Sequence, residues 1–264
     1  MKKDDLIEMA RDPKYIPGIY NYCDYWCERC PFTARCLNFQ SQEKEEAPES
    51  QDINSREFWD RLADNFRVAK EMILEQAEEL GIDLTDVDMA EAGEEEARLR
   101  RDAEAHDLAA WSKEYMRAVD KWFKDKEGAF EQRGDALIRE HEMALPGRSP
   151  ERQVLDLKDC VDVIRWYQCQ INVKLMRALM RDDTWEGDEG FPSDSDGSAK
   201  VALIGIDRSI AAWVEMCEQF PGERDNIIDV LVLLDSIRKR AERDFPGARS
   251  FVRPGFDTEP VLAF

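Results

Sequence analysis

The stretch GSAKVALIGIDRSIAAWVEMCEQF, residues 197–220, decides the class of fold that the sequence predicts. Its segment VALIGI, residues 201–206, is apolar in every direction around a helix, which is typical of a helix buried on all sides. We find no convincing run of the strict apolar–polar alternation that marks a half-buried strand. We therefore expect an all-α protein with this helix near the centre of a bundle.

About six helices are predicted in this bundle from apolar residues that recur at spacings of three and four. Asn54 is expected to cap the first of them, with Glu57 completing a capping box. Ser149 followed by Pro150 is a typical helix start, because proline fits the first helical position. The predicted helices span residues 54–81, 94–124, 128–145, 150–181, 197–220 and 222–244.

The remaining sequence divides the chain into regions of different composition. Residues 1–40 hold clustered cysteines and aromatic residues, and we expect them to form a small metal-binding lobe. Residues 41–53 are polar and acidic, which favours a linker. The bundle is predicted over residues 54–244, and residues 245–264 are predicted to form an extended tail that packs on the bundle.

The cysteine segment CDYWCERCPFTARC, residues 23–36, carries the clearest chemistry in the chain. Cys23, Cys27, Cys30 and Cys36 are spaced C-x3-C-x2-C-x5-C, so short turns can bring four thiols to one point. Thiolates are the ligands of structural zinc and of iron–sulfur clusters alike. The spacing therefore predicts one metal centre with four cysteine ligands.

The identity of this metal depends on the residues between the cysteines. Cys30 precedes Pro31, as a cluster ligand precedes proline in bacterial ferredoxins. Four aromatic side chains could exclude water from a cluster, namely Tyr22, Tyr25, Trp26 and Phe32. These features favour a [4Fe–4S] cluster, with Zn²⁺ as the alternative because compact cysteine knuckles also bind zinc.

Three of these cysteines resemble a known motif over only eight residues. The spacing of Cys23, Cys27 and Cys30 is similar to the cluster motif of radical SAM enzymes. Those enzymes usually have an aromatic residue where Arg29 stands, and Cys36 would close the iron that they leave open. Their barrel also needs strands alternating with helices, whereas this sequence predicts helices throughout.

Charge limits the partners that we expect. Fifty-eight acidic residues against 37 basic ones give a formal net charge of −21, which repels nucleic acid and anionic membranes. We find no apolar run of membrane-spanning length and no signal peptide, so a cytoplasmic protein is expected. In such a reducing compartment, clustered cysteines are more often metal ligands than disulfides. A partner, if there is one, is expected to be another protein, and the oligomeric state is left open.

A second candidate site combines charged residues of two predicted helices. Residues 150–181 carry four charges between apolar residues, and two more directly follow the VALIGI segment; the six are Asp162, Arg165, Lys174, Arg177, Asp207 and Arg208. A buried charge needs a partner. One hypothesis is an ion network that joins the two helices; the other is a polar ligand pocket. An ion network accords with a metal protein that has a redox, sensing or protein-interaction role. A ligand pocket accords with an enzyme whose metal lobe is structural.

The remaining titratable candidates are expected to be structural. His106 is predicted to form a surface pair with Asp102, one helical turn away, and His141 is predicted to be a core residue. The three cysteines outside the segment lie in predicted helices and are expected to be small core residues that bind no metal; they are Cys160, Cys169 and Cys217.

Overall fold

The computed structural model describes residues 3–43, 52–84, 88–143, 149–180 and 193–257. Residues 44–51 of the predicted linker and residues 258–264 of the predicted tail lie outside this part of the chain. Within it every regular element is helical and no β-strand occurs, so the all-α prediction is confirmed. No helix in these residues is both long and apolar enough to cross a membrane.

Nine α-helices occur in the described residues, joined by turns and three short 3-10 helices. In chain order they are α1 (Lys3–Arg11), α2 (Leu37–Glu43), α3 (Arg56–Leu80), α4 (Met89–Ala105), α5 (Asp107–Asp125), α6 (Glu127–Glu142), α7 (Pro150–Leu179), α8 (Asp194–Gln219) and α9 (Arg224–Asp244). The sequence predicted neither α1 nor α2, because both are too short to show a clear apolar period.

The chain divides into two compact units. The first comprises residues 1–96 and 252–264, and the second comprises residues 97–251. The first unit contains the cysteine segment and α3, and the second contains the helices from α5 to α9.

Side-chain caps define several helix starts. Ser149 caps α7 as predicted, since its hydroxyl accepts a hydrogen bond from the Arg152 amide at 3.3 Å. The cap of α3 is Ser55, which accepts from the Phe58 amide at 3.0 Å, so the prediction of Asn54 is wrong. Asn54 instead donates from its backbone and its side chain to Asp52 Oδ1, which places it in the turn before the helix.

The helix predicted over residues 94–124 is interrupted at His106. This residue is extended, with φ −77° and ψ 145°, and its Nδ1 accepts a hydrogen bond from the Leu108 amide at 3.2 Å. His106 therefore caps α5, and its Nε2 lies 3.4 Å from Asp244 Oδ2. These contacts take the place of the predicted pair with Asp102. The apolar period continued through the break and gave no sign of it.

Four helices of the second unit enclose its core. α8 packs against α7 and α9, and α5 packs against the same two helices, so the four close around a common centre. The pairing of α7 with α8 is the most extensive in this unit, as the sequence predicted. Val201, Leu203 and Ile206 of the VALIGI segment are at most 1% exposed, which confirms that α8 is a buried helix.

Aromatic residues fill the centre of this bundle. Trp213 of α8 is fully buried and meets Trp122 of α5 edge to face, with ring centroids 5.1 Å apart. Its Nε1–H donates to the hydroxyl of Tyr115, which is also fully buried, at 3.3 Å. Burial raises the pKa of Tyr115 to about 12, because the phenolate would lose its hydration.

The raised pKa of Tyr115 predicts a loss of stability at alkaline pH. The folded protein holds this proton more tightly than the unfolded chain, whose tyrosines ionise near pH 10. The stabilisation is therefore complete below pH 10 and is lost as the pH rises towards 12, by up to about 3 kcal/mol. Urea unfolding of the wild type and of Tyr115→Phe across this range measures it. The phenylalanine variant should lack this component of the alkaline loss, and identical pH profiles would contradict the assignment.

A single glycine permits the close contact between α7 and α8. A Cβ atom added at Gly205 would lie 2.8 Å from Tyr167 Cδ1 and 3.3 Å from Ile171 Cγ1. Both neighbours belong to α7 and are at most 1% exposed, so neither can move into solvent. The absence of a side chain at Gly205 therefore sets the distance between the two helices.

We expect Gly205→Ala to destabilise the protein by about 1–3 kcal/mol, because overpacking outweighs the higher helix propensity of alanine. Gly134→Ala in α6 is the matched control, since an added Cβ there meets no atom within 4 Å. That variant should be neutral or stabilised by up to about 1 kcal/mol. Thermal unfolding compares the two, and equal stability changes would show that Gly205 does not govern the contact.

Candidate metal centre

The cysteine segment is built from turns rather than from long helices. After α1, the amide of Ile16 donates to the carbonyl of Arg35 at 3.0 Å, which links the chain before the segment to the last turn of the segment. Two 3-10 turns follow, at Cys27–Arg29 and Thr33–Arg35, and each places a cysteine beside its own turn. Short turns of this kind keep the four cysteines within a small volume.

One residue of this segment has an unusual backbone conformation. Tyr25 has a φ of 55°, and it is the one residue other than glycine with a positive φ in the described part of the chain. For a bulky residue this conformation costs roughly 1–2 kcal/mol. It turns the chain between Cys23 and Cys27, and the Cys27 amide donates to the Tyr25 carbonyl at 3.0 Å. Such strain at the centre of a candidate site is typical of functional segments.

All four cysteines of the segment line a single small cavity, with a volume of about 20 Å³. A cavity of this size has room for about one water molecule or one ion. Its other walls are mostly aromatic and aliphatic side chains, and they include Ile19, Tyr20, Trp26, Phe39 and Phe256. The structure therefore brings the four predicted ligands to one apolar site.

Two hydrogen bonds involve the sulfur atoms directly. The amide of Phe32 donates to Cys30 Sγ at 3.4 Å, and the Cys23 thiol donates to the Tyr20 carbonyl at 3.5 Å. An amide that points at a cysteine sulfur stabilises its thiolate form. The Phe32 amide is therefore placed to donate to the Cys30 sulfur if this cysteine binds a metal.

In the absence of a bound cation, the neighbouring thiols oppose the ionisation of Cys27. Burial raises the pKa of Cys27, and the negative charges that Cys30 and Cys36 would carry raise it further. A cation among the sulfurs would reverse this preference, because metal binding replaces the thiol protons. The donor set and the apolar walls thus fit a metal centre.

The ligand geometry is not closed in this arrangement of side chains. Among the residues that the structure describes, no three cysteine, histidine, aspartate or glutamate side chains converge closely enough to hold a metal ion. The four cysteines share a cavity, but their sulfur atoms do not surround a common point at bonding distance. Metal binding would therefore require the sulfur atoms to move closer together.

The C-terminal segment supplies a wall that the sequence did not predict. Phe256 meets Phe32 edge to face, with centroids 5.1 Å apart, and it also lines the cavity. Gly255, with a φ of 77°, lies so close to Ile16 and Ile19 that an added Cβ would be 3.0 Å from each. Gly255 therefore packs on the chain just before the cysteine segment, and Phe256 packs on the segment itself. Only the aromatic residue after Pro254-Gly255 could have signalled this role.

Five charged residues of the second candidate site each contact a different partner. Asp207 accepts from Arg249 at 2.6 Å, and Arg208 donates to the hydroxyl of Tyr167, so both charges are satisfied as predicted. The other three contacts are Asp162 with Lys158 at 2.6 Å, Arg165 with Asp120 at 2.9 Å, and Arg177 with Asp194 at 2.6 Å. Lys174 is 5% exposed. Exposed pairs of this kind contribute little to stability.

Two predictions of buried residues are wrong. His141 is exposed, and its Nδ1 lies 3.0 Å from Glu151, because α6 buries only Leu137. Cys169 is exposed on α7, whereas Cys160 is buried and Cys217 is half-buried. Burial raises the pKa of the Cys160 thiol to about 11, as in an unreactive core residue.

Fold and site together describe an all-helical protein with four cysteines around one cavity. Comparisons with models of known protein families, with curated protein sequences and with solved structures find no match. The function must therefore be inferred from the residues of this chain.

Proposed function

We propose that Cys23, Cys27, Cys30 and Cys36 bind one metal centre, and that the chain is a metal-binding helical protein with a redox, sensing or protein-interaction role. The shared cavity is the observation that carries this proposal. Four sulfur donors on short turns match the ligand set of structural zinc and iron–sulfur sites. The alternative of four ordinary core cysteines does not account for their common cavity.

Binding would change the segment in defined ways. The four side chains would rotate inwards and lose their protons, and the Phe32 amide would keep its hydrogen bond to the Cys30 sulfur. Tyr25 would hold the turn between the first two ligands in its strained conformation. Metal binding and local folding are therefore expected to be coupled, since residues 18–40 have few aliphatic side chains to form their own core.

The proposed metal is a [4Fe–4S] cluster, with Zn²⁺ as the alternative. Aromatic walls such as Trp26, Phe39 and Phe256 would shield a cluster from water, which is one of the properties that set its potential. A zinc ion would fit a cavity of about 20 Å³ directly, whereas a cluster would have to displace these walls outwards as it binds. A cluster would supply electron transfer or redox sensing, whereas zinc would supply folding stability.

Anaerobic reconstitution tests the proposal. The apoprotein is mixed either with iron and sulfide or with Zn²⁺, and unbound metal is removed before metal analysis and visible spectroscopy. We expect a stable brown protein from the first mixture, and Cys160→Ser as the control should behave identically. If the protein binds zinc in preference to the cluster, the proposed metal is wrong but the proposed four-cysteine site stands. Failure of both mixtures would overturn the four-thiolate proposal.

Phe256→Ala tests the wall supplied by the C-terminal segment. Removing the ring that meets Phe32 opens one side of the cavity to water and oxygen. We expect the variant to bind metal but to bleach several-fold faster in air than the wild type, as followed by visible absorbance. Phe245→Ala, a buried residue of the other unit, is the control and should leave the bleaching rate unchanged. Equal rates for Phe256→Ala and the wild type would show that Phe256 does not protect the site.

A further inference from the structure

Helix α3 carries an exposed apolar stripe. Trp59, Phe66, Ile73 and Leu80 follow one another at intervals of seven residues and are 54%, 68%, 60% and 65% exposed. Seven residues are almost two helical turns, so the four side chains lie on one side of the helix and drift by only about 20° per interval. With a rise of 1.5 Å per residue, the stripe is about 30 Å long.

This stripe has no extensive cover within the first unit. Among the described residues of that unit, no other helix packs extensively along α3. Its buried residues, Val68 and Ala77, lie off the heptad series. Large apolar side chains at heptad spacing are typical of a seam between paired helices. The stripe is therefore suited to a partner helix of the same length.

Charge along α3 indicates which partner and which direction. Residues 56–70 carry four basic and three acidic side chains, whereas residues 71–80 carry four glutamates and no basic residue. The two halves thus have net charges of +1 and −4. Lys3 pairs with Glu75, but the C-terminal half stays negative. A second α3 running antiparallel would place each negative half beside the other positive half, and a parallel one would oppose the negative halves.

We propose that two copies of this chain associate through α3, with their stripes paired antiparallel. In this arrangement Phe66 of one copy faces Ile73 of the other, and Trp59 faces Leu80, because each pair is placed symmetrically about the middle of the stripe. The stripe is then buried on both copies, and like charges are kept apart. This inference does not depend on the metal.

Matched isoleucine variants test the interface. Ile73→Glu lies on the stripe, and Ile138→Glu lies on α6, where isoleucine has nearly the same exposure, 59%. Sedimentation velocity over a concentration series should show a dimer for the wild type and for Ile138→Glu. Ile73→Glu should weaken association by at least about tenfold. A wild type that is monomeric at all concentrations would overturn the proposal, because the stripe would then be left for another protein or another segment. Unchanged association of Ile73→Glu would also overturn it.

A charge exchange tests the direction. In an antiparallel pair, Phe66→Lys combined with Ile73→Glu places opposite charges face to face, whereas Phe66→Glu combined with Ile73→Glu places like charges there. We expect the first double variant to associate at least about tenfold more tightly than the second. In a parallel pair both variants oppose like charges. Equal association of the two would therefore overturn the antiparallel arrangement.

Discussion

Replacing Cys27 or Cys30 with serine is expected to abolish metal binding while most of the helical circular dichroism remains. Both residues line the shared cavity, and a four-thiolate centre loses its closed shell when one sulfur is replaced by a hydroxyl. The cysteine segment consists mainly of turns, so its loss removes little helical signal. Metal analysis and circular dichroism of each variant measure the two effects.

The controls for these variants come from the same chain. Cys160→Ser and Cys217→Ser change cysteines of the second unit, and we expect both to retain the metal. Full metal retention in Cys27→Ser and in Cys30→Ser would contradict the four-thiolate site. Global unfolding of either variant would show instead that the segment is required for the stability of the whole chain.

Trp213→Ala is expected to lower the free energy of unfolding by about 3–5 kcal/mol, the largest stability effect that we expect from one substitution. Trp213 is fully buried, contacts Trp122 and donates a hydrogen bond to Tyr115, so its loss leaves a large cavity and removes the partner of a buried hydroxyl. Urea unfolding followed by circular dichroism measures the change. At temperatures where the variant stays folded, we expect normal metal content, since all four ligands lie in the first unit.

Trp213→Phe provides the graded comparison. Phenylalanine keeps an aromatic ring near Trp122 but lacks the Nε1–H, so the loss should be less than half of that in the alanine variant. Similar losses in the two variants would mean that the hydrogen bond to Tyr115, rather than the volume, dominates. A loss below about 1 kcal/mol in Trp213→Ala would contradict the central position of this residue.

Much of the fold could be predicted because apolar periodicity reports burial. The VALIGI segment identified α8, and Ser149-Pro150 identified the start of α7. Helix boundaries that depend on individual hydrogen bonds could not be predicted in this way. The apolar period runs through His106 without a break, although this residue ends one helix and caps α5. Asn54 does not cap α3 as predicted, because its side chain donates to Asp52 in the preceding turn.

The candidate site was predicted in part. The spacing of the cysteines predicted that Cys23 and Cys36 lie at one site, and both line the same cavity because local turns determine their separation. Phe256 joins that cavity from more than 200 residues away, and sequence spacing carries no information on such contacts. His141 shows the opposite limit, because it was predicted to be a core residue and yet belongs to a helix that buries only Leu137.

Native mass spectrometry of the protein, purified and sprayed without oxygen, tests the central claim most directly. The intact mass identifies the bound group and its number per chain, and the proton count shows whether the cysteines are thiolates. We predict one [4Fe–4S] cluster per chain, lost on substitution of Cys27 and retained in Cys160→Ser. If one zinc ion is bound instead, and is likewise lost on substitution of Cys27 and retained in Cys160→Ser, the four-thiolate site stands and the metal is zinc. A chain at the mass of the bare polypeptide, also after reconstitution, would contradict the account.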